Sequence, residues 1–472
     1  MFDLVIVGMG SAGLTAAEFA AGLGLQVAVV ERARVGGDCL WTGCVPSKAL
    51  LASAKAAQAM RTADVFGLEA VEPMIDLAKV WRRVRAVQAQ IAATDDNPQR
   101  YRDLGAEIVV GQARLSGPNE VTVQSDDGGV RVLPTRFVLL CTGSRPHVPP
   151  VPGLSADWCL TSENVFDIDE PPATLAIVGG GPMGVEMAQA MQRLGVQVTV
   201  FQRARTLLPR EEPTLVERLT GVLVAEGVRV HCSADVRRVD PTATGSRVVL
   251  ATVGDEGSEV AVPVDGVLVA AGRSPNIDGL GLAELGIAAG ARGVEVDARG
   301  RTTVRTVYAA GDVTGRRMLT NVAGYEAVTA VRDMFFPGKG SINDVVPWCT
   351  FTDPELARAG LTITEAEEQH GADTDVWRID LDHNDRARAE GHPDGCIIVV
   401  TAKGRVVGAH VLAPGGGEVI HELAMAVRQQ MRLDDLASLV HVYPTLSTSV
   451  GQLATEAAYE KAQRLRWLMK RR

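Results

Sequence analysis

The chain of 472 residues has no surplus of positive charge: 47 lysines and arginines stand against 57 aspartates and glutamates, a formal net charge of −10. An acidic chain without a concentrated basic patch is not drawn to nucleic acid or to acidic membrane surfaces. The one basic cluster, Arg464, Arg466, Lys470, Arg471 and Arg472, is terminal and reads as a complement to the dipole of a last helix. No apolar run is long enough to cross a membrane, and Met1-Phe2-Asp3-Leu4-Val5 lacks the basic start of a leader peptide, so a cytoplasmic protein is expected. Cysteine is scarce, with seven in all. Cys141, Cys159, Cys232, Cys349 and Cys396 are scattered and read as unpaired core or strand residues of a reducing compartment. What remains is an ordinary globular composition, 46% hydrophobic and 22% charged, over a length that implies about three domains.

Glycine carries the first positive signal. Leu4-Val5-Ile6-Val7 leads into Gly8-Met9-Gly10-Ser11-Ala12-Gly13, an alanine-rich helix to about Gly22, and a second strand ending at Glu31. A strand before the glycines and a helix after them make this a complete dinucleotide-binding unit, with pyrophosphate expected at the helix N-terminus and Glu31 on a ribose hydroxyl. The unit recurs at Leu175 to Val178, with Gly179, Gly181 and Gly184 in the turn, a helix to about Leu194 and a strand Gln197 to Phe201. Two dinucleotides are implied, by duplication of a fold unit and not by a solenoid repeat. Polar turns and short strands are read between the units, ending in Thr142-Gly143-Ser144 and a proline-rich linker from Pro146 to Pro152. Gly272-Arg273-Ser274-Pro275-Asn276 closes the second unit, Asp312 follows a strand end, and from about Val345 strands and long helices form a third domain without a nucleotide motif.

Two cysteines five apart, in Gly36-Gly37-Asp38-Cys39-Leu40-Trp41-Thr42-Gly43-Cys44-Val45-Pro46-Ser47-Lys48, directly follow the first unit. A zinc site would need a second pair or nearby histidines, which are missing, so the two read as a redox-active pair set against a flavin. Cys44 opens an alanine-rich helix, where the N-terminal dipole favours a thiolate, and Lys48 lies one turn further on the same face.

In this order the motifs resemble those of the class I flavoprotein disulfide reductases, which include dihydrolipoamide dehydrogenase, glutathione reductase and mercuric reductase. Phe351-Thr352-Asp353-Pro354-Glu355 opens the last domain in the same pattern. The resemblance implies an α/β fold of two Rossmann-like domains and a C-terminal α+β dimerisation domain. Residues 1–150 and 274–344 would bind FAD, 151–273 NAD(P)H, and 345–472 a second copy of the chain. Gly8, Gly10, Gly13, Glu31, Ala113, Thr142, Gly143, Ser144, Asp312 and Thr320 would then hold FAD. Gly179, Gly181, Gly184, Gln202, Arg203, Arg205 and Gly272 would hold the pyridine nucleotide. Lys48 would pair with Glu186 beside the flavin, although Glu186 read on its own is an exposed carboxylate in the first turn of a helix. Electrons would pass from nicotinamide through flavin to a Cys39–Cys44 disulfide, with Cys44 facing the flavin and Cys39, nearer solvent, attacking the acceptor. No resident metal is implied.

Two departures qualify the resemblance. The strand that holds a ribose in the second unit ends at Gln202, followed by Arg203 and Arg205, in place of an acid, which predicts NADPH over NADH. Where disulfide reductases carry a histidine base and an orienting glutamate, the chain has Tyr443 and Thr448, in His441-Val442-Tyr443-Pro444-Thr445-Leu446-Ser447-Thr448. Tyrosine is similar to mercuric reductases, but the C-terminal cysteine pair of those enzymes is absent. His441 is read as a hydrogen-bonded histidine near the dimer interface and not as a substitute base. The expected acceptor is a small disulfide or another thiol-reactive molecule; a metal ion or quinone, or a slow-turnover flavin redox sensor or partner protein, are the alternatives.

Overall fold

A computed structural model describes residues 1–243, 245–254, 257–338, 345–392, 394–464 and 466–468. The expected boundary at 344/345 and Lys470, Arg471 and Arg472 of the basic cluster fall outside or at the edge of the described residues.

The first unit opens with β1 (Phe2–Val7), α1 (Ser11–Gly22), β2 (Val27–Glu31), α2 (Gly37–Trp41), α3 (Cys44–Arg61), α4 (Leu77–Ala93), α5 (Pro98–Asp103) and β3 (Glu107–Val110). A meander of β4 (Gln112–Gly117), β5 (Glu120–Gln124) and β6 (Val130–Leu140) then adds to the sheet, whose order is β3-β2-β1-β6-β5-β4. β1 is parallel to both β2 and β6. Leu4, Val5, Ile6 and Val7 are all buried, as a strand covered on both faces requires.

β7 (Ser144–Pro146) leaves this unit for the second, built from β8 (Thr174–Val178), α6 (Pro182–Arg193), β9 (Gln197–Phe201), α7 (Pro213–Ala225) and β10 (Arg229–His231). An antiparallel meander, β11 (Ala234–Pro241), β12 (Arg247–Val253) and β13 (Ser258–Val264), precedes β14 (Gly266–Val269), which completes a parallel sheet of order β10-β9-β8-β14. β15 (Arg273–Pro275) pairs antiparallel with β7, so exit and return run side by side. After the small ribbon of β16 (Ala289–Gly290) and β17 (Gly293–Val294), β18 (Val307–Ala309) rejoins the first sheet beside β6, and α8 (Thr320–Phe335) packs on α1.

The C-terminal unit is an antiparallel sheet of order β19-β20-β23-β22-β21, from β19 (Trp348–Thr350), β20 (Glu355–Gly360), β21 (Thr374–Asp380), β22 (Cys396–Ala402) and β23 (Arg405–Ala413). Helices α9 (Ile363–His370), α10 (Asp385–Ala389), α11 (Gly416–Arg428) and α12 (Thr448–Arg464) accompany it.

The reading of polar turns and short strands between the nucleotide units is corrected by α4 and α5. Asp76 caps α4 by accepting the Lys79 N–H at 3.0 Å, and the helix buries Trp81 and Val84 on one face. Trp81 Nε1 donates to the Val165 carbonyl at 2.9 Å. With Leu50, Val185, Met187 and Ile398 these residues share one hydrophobic cluster that draws on all three units, and the helix that starts at Cys44 packs on α4 and α6.

Candidate active site

The glycine turn of the first unit is built by contacts that exclude side chains. Gly8 has φ +99°, and a Cβ there would lie 2.4 Å from the Cys141 carbonyl oxygen; one on Gly13 would lie 1.9 Å from the Gly8 oxygen. Gly179 and Gly184 repeat both contacts in the second unit. Gly10 faces open space except for Gly37. Glu31 accepts the Met9 N–H at 2.7 Å and the Ala33 N–H at 2.8 Å, which fixes its carboxylate at the end of β2.

These elements wall a cavity of ≈ 530 Å³. Gly8, Gly10, Glu31, Ala113, Thr142, Gly143, Ser144, Asp312 and Thr320 line it, together with Cys39 and Cys44. Gly13 stands behind the wall as the packing partner of Gly8. A glycine cradle at a helix N-terminus, a carboxylate at the next strand end and a redox pair along one cavity fit a flavin dinucleotide. Ser144 Oγ donates to Asp312 Oδ2 at 2.6 Å.

Cys44 is the first residue of α3, at the positive end of that helix's dipole. Its Sγ lies 3.3 Å from Thr320 Oγ1 at the start of α8, and Cys39 is within hydrogen-bonding reach. Both are thiols here. The hydrogen bond from Cys39 is the largest influence on Cys44 and, with Thr320 and the Lys48 charge, pulls its pKa down to about 6 against burial and Glu186. The same hydrogen bond, and burial, push the Cys39 thiol well up. Both cysteines face the cavity. Cys39 is held inside the short helix α2, whereas Cys44 stands at the mouth of α3.

Lys48 Nζ donates to Glu186 Oε2 at 2.9 Å and sits 4.3 Å from the centre of the Phe351 ring. Lys48 is not among the residues lining the cavity, though its charge acts on Cys44. Reading Glu186 as an exposed first-turn carboxylate is overturned. It is the fifth residue of α6, 5% exposed, and its Oε1 accepts the Phe351 N–H at 2.9 Å.

In the second unit, Gln202 occupies the place of Glu31. Its Oε1 accepts the Gly180 N–H at 3.1 Å, as Glu31 does for Met9, and its Nε2 donates to the Thr206 carbonyl at 3.3 Å. Gln202 is therefore buried and shapes the turn, while Arg203 and Arg205 are exposed beyond it. Gly181 begins the helix as its N-cap with open space around it, and Gly272, φ +116°, is likewise open where the chain leaves β14.

Tyr443 projects from the C-terminal unit, 71% exposed, with its hydroxyl donating to Asp385 Oδ2 at 2.5 Å. That carboxylate pushes the phenol above its ordinary range. Thr448 opens α12 and donates to the Thr445 carbonyl at 2.6 Å. His441 is bonded to Glu422 at 2.9 Å and its ring lies against Gly451, in agreement with the hydrogen-bonded reading. Sequence reasoning missed Asp385, whose partner is 58 residues away, and Arg273, which stood in a quoted motif but whose side chain was given no part.

Among the described residues no helix is long and apolar enough to cross a membrane. Residues 2–327 match the family model for pyridine nucleotide-disulphide oxidoreductases and 346–454 the model for their dimerisation domain. Dihydrolipoyl dehydrogenase of Chlorobaculum tepidum is 33% identical, covering 97% of both chains. Mercuric reductase of Streptomyces lividans is 34% identical over 95% of this chain and 94% of its own, and glutathione reductase of Burkholderia cepacia 33% over 94% and 97%. Among solved structures, LpdA from Mycobacterium tuberculosis superposes with a TM-score of 0.87 at 29% identity, covering 97% of this chain and 99% of its own. The Cu(II) complex of the HOCl-induced flavoprotein disulfide reductase RclA from Escherichia coli gives 0.85 at 27% identity, covering 96% and 99%. With two nucleotide units, a cysteine pair on the cavity of the first, and a C-terminal unit that matches over residues 346–454, the chain belongs to the pyridine nucleotide-disulphide oxidoreductase family and is an enzyme of that class.

Proposed function

We propose that the enzyme passes electrons from NADPH, through FAD, to a Cys39–Cys44 disulfide and on to a small disulfide or another thiol-reactive acceptor. The observation that carries this is Cys44, a depressed thiol at a helix N-terminus on the cavity wall, in reach of Cys39. Bound FAD supplies hydride acceptance and two-electron storage. Lys48 stabilises negative charge near Cys44, Glu186 holds Lys48 in place, and Thr320 donates a hydrogen bond to the thiolate. Cys39, kept protonated by its neighbour, attacks the acceptor as its proton passes to the Cys44 thiolate within hydrogen-bonding reach, and the bond to the departing group of the acceptor breaks. The FAD domain is proposed to comprise 1–150 and 274–344, the NADPH domain 151–273, and the dimerisation domain 345–472, in a cytoplasmic homodimer. Anaerobic titration with NADPH tests the relay: wild type takes up more than two electrons per FAD, Cys39→Ser and Cys44→Ser only two, and wild-type uptake of two overturns it.

NADPH is favoured by the absence of a carboxylate at Gln202, where the first unit has Glu31, with two exposed arginines beside it. A clear NADH preference in kcat/KM refutes that choice.

A second reading of the acceptor rests on Tyr443. Its phenol is tied to Asp385 and no histidine occupies its position, so acceptors that need little proton transfer, a quinone or a thiol-bound metal ion, suit the site better than lipoamide or glutathione disulfide. Comparing these acceptors under steady NADPH decides it, and efficient turnover of none points to a redox sensor or partner protein.

A further inference from the structure

Arg273 has no part in the relay as described, yet it is tied to four segments, at Asp38, Ser144, Ser162 and Asp312. It opens β15, the returning half of the two-stranded crossover. Its Nε donates to Ser144 Oγ at 2.6 Å and its Nη2 to the Ser144 carbonyl at 3.0 Å. Nη1 reaches Ser162 Oγ in the second unit at 3.3 Å, and Nη2 also contacts the Asp38 carboxylate directly. Nε lies 3.6 Å from Asp312 Oδ2. Asp38 immediately precedes Cys39 in α2, and Asp38, Arg273, Asp312 and Glu163 all line the cavity that Cys39 and Cys44 line. One guanidinium thus faces two carboxylates, Asp38 and Asp312, and two of its partners, Asp38 and Ser144, belong to segments that border Cys39 and the cavity.

We propose that Asp38 and Arg273 are positioning residues that hold the Cys39 turn against the cofactor wall and set the potential of the Cys39–Cys44 couple in opposite directions. The inference rests on the relay proposed above. Opening the disulfide with a hydride equivalent, two electrons and one proton, breaks the S–S bond and leaves one thiol and one thiolate. The reduced pair therefore carries one negative charge that the disulfide lacks. Arg273 stabilises that charge and favours reduction; Asp38 repels it and disfavours reduction. Both side chains are partly exposed, so the effect is screened and modest but retains its sign.

The test is anaerobic spectroelectrochemical titration of the FAD-loaded enzyme, with FAD content and melting temperature measured for each variant. Asp38→Asn shifts the couple toward the dithiol by about three- to tenfold, equivalent to ~15–30 mV upward for a two-electron couple. Arg273→Gln shifts it downward, the double variant lies between, and Asp38→Glu and Arg273→Lys stay near wild type. A purely structural pair lowers melting temperature or FAD content in both single variants with no opposed shifts in potential. That result, or shifts of the same sign, overturns the proposal. Should Arg273→Gln fail to hold FAD, Asp38→Asn against Asp38→Glu decides alone. If wild type takes up only two electrons, the relay itself falls, and this inference with it.

Discussion

Cys44 depends on neighbours that can be removed one at a time. In the reduced enzyme Cys39, Thr320 and Lys48 hold its thiol below the ordinary cysteine range, so thiolate is lost as pH falls and grows in at lower pH than for a free cysteine. The absorbance of a thiolate beside oxidised flavin should follow that curve. Lys48→Met removes the charge that favours thiolate and leaves Glu186 buried without its cation, so the curve moves to higher pH and flavin reduction slows. Thr320→Val moves it in the same direction by loss of one hydrogen bond. An unmoved curve in both would show that the helix terminus and Cys39 suffice. The opposite case is Tyr443: disulfide turnover should lack a basic limb near pH 6.5, and Tyr443→His with Thr448→Glu should raise it by up to about 10²-fold, read by stopped flow. At this scale the sequence disclosed what is local. Cys39 and Cys44 announce themselves by spacing, as does Lys48 one turn on. Glu186 does not, because the Phe351 N–H that its carboxylate accepts is 165 residues away, and Asp385 is likewise invisible from Tyr443.

Elements carry these residues, and two substitutions probe the elements themselves. Gly13→Ala places a methyl group 1.9 Å from the Gly8 oxygen, a backbone atom that cannot yield without opening the turn, so FAD content should fall severely while Ala at Gly10, with only Gly37 near, should be milder. Equal retention of FAD in both would refute this account of the cradle. Leu50 is fully buried where α3 meets α6, and Leu50→Ala should cost about 2–5 kcal/mol of stability. Because α3 also presents Cys44 and Lys48, loosening it should slow flavin reduction as well, which separates it from a cavity remote from the site. The glycine turns, α1, α3 and α6 are legible because capping, period and strand runs agree over short windows. Helix α4 has the same signs, an Asp76 cap and apolar residues at Leu77, Trp81 and Val84, but Lys79, Arg82, Arg83 and Arg85 among them give it a low average hydropathy. Its helical face is evident once Trp81 is seen to need a buried carbonyl, Val165, from another unit.

For the molecule as a whole, a cavity on one unit and a tyrosine on another pose the question of what brings them together. The segment before α12 leaves Val440 92% and Val442 77% exposed beside Tyr443, and Val65, Phe66, Leu68 and Met74 form a second exposed apolar group after α3. Apolar residues this exposed and this close in sequence are costly to leave in water. A second copy of the chain is the partner that the matched dimerisation domain favours, and a two-fold arrangement would let the Tyr443 segment of one copy meet the cysteine segment of the other. Sequence alone showed a third domain without a nucleotide motif but not which of its residues face outward, since exposure is a property of the packed sheet. Sedimentation at micromolar concentration should give a dimer of 50.0 kDa chains. Val440→Asp with Val442→Asp places charges in the proposed contact and should yield a monomer. Because the FAD cavity, Cys44, Lys48 and Glu186 all lie within one chain, that monomer should keep FAD and be reduced by NADPH at nearly the wild-type rate. Its turnover with any acceptor that requires Tyr443 should drop by at least about tenfold, so stopped-flow and steady-state rates part company. A monomer that turns over acceptor as well as wild type would confine the whole reaction to one chain and remove Tyr443 from it.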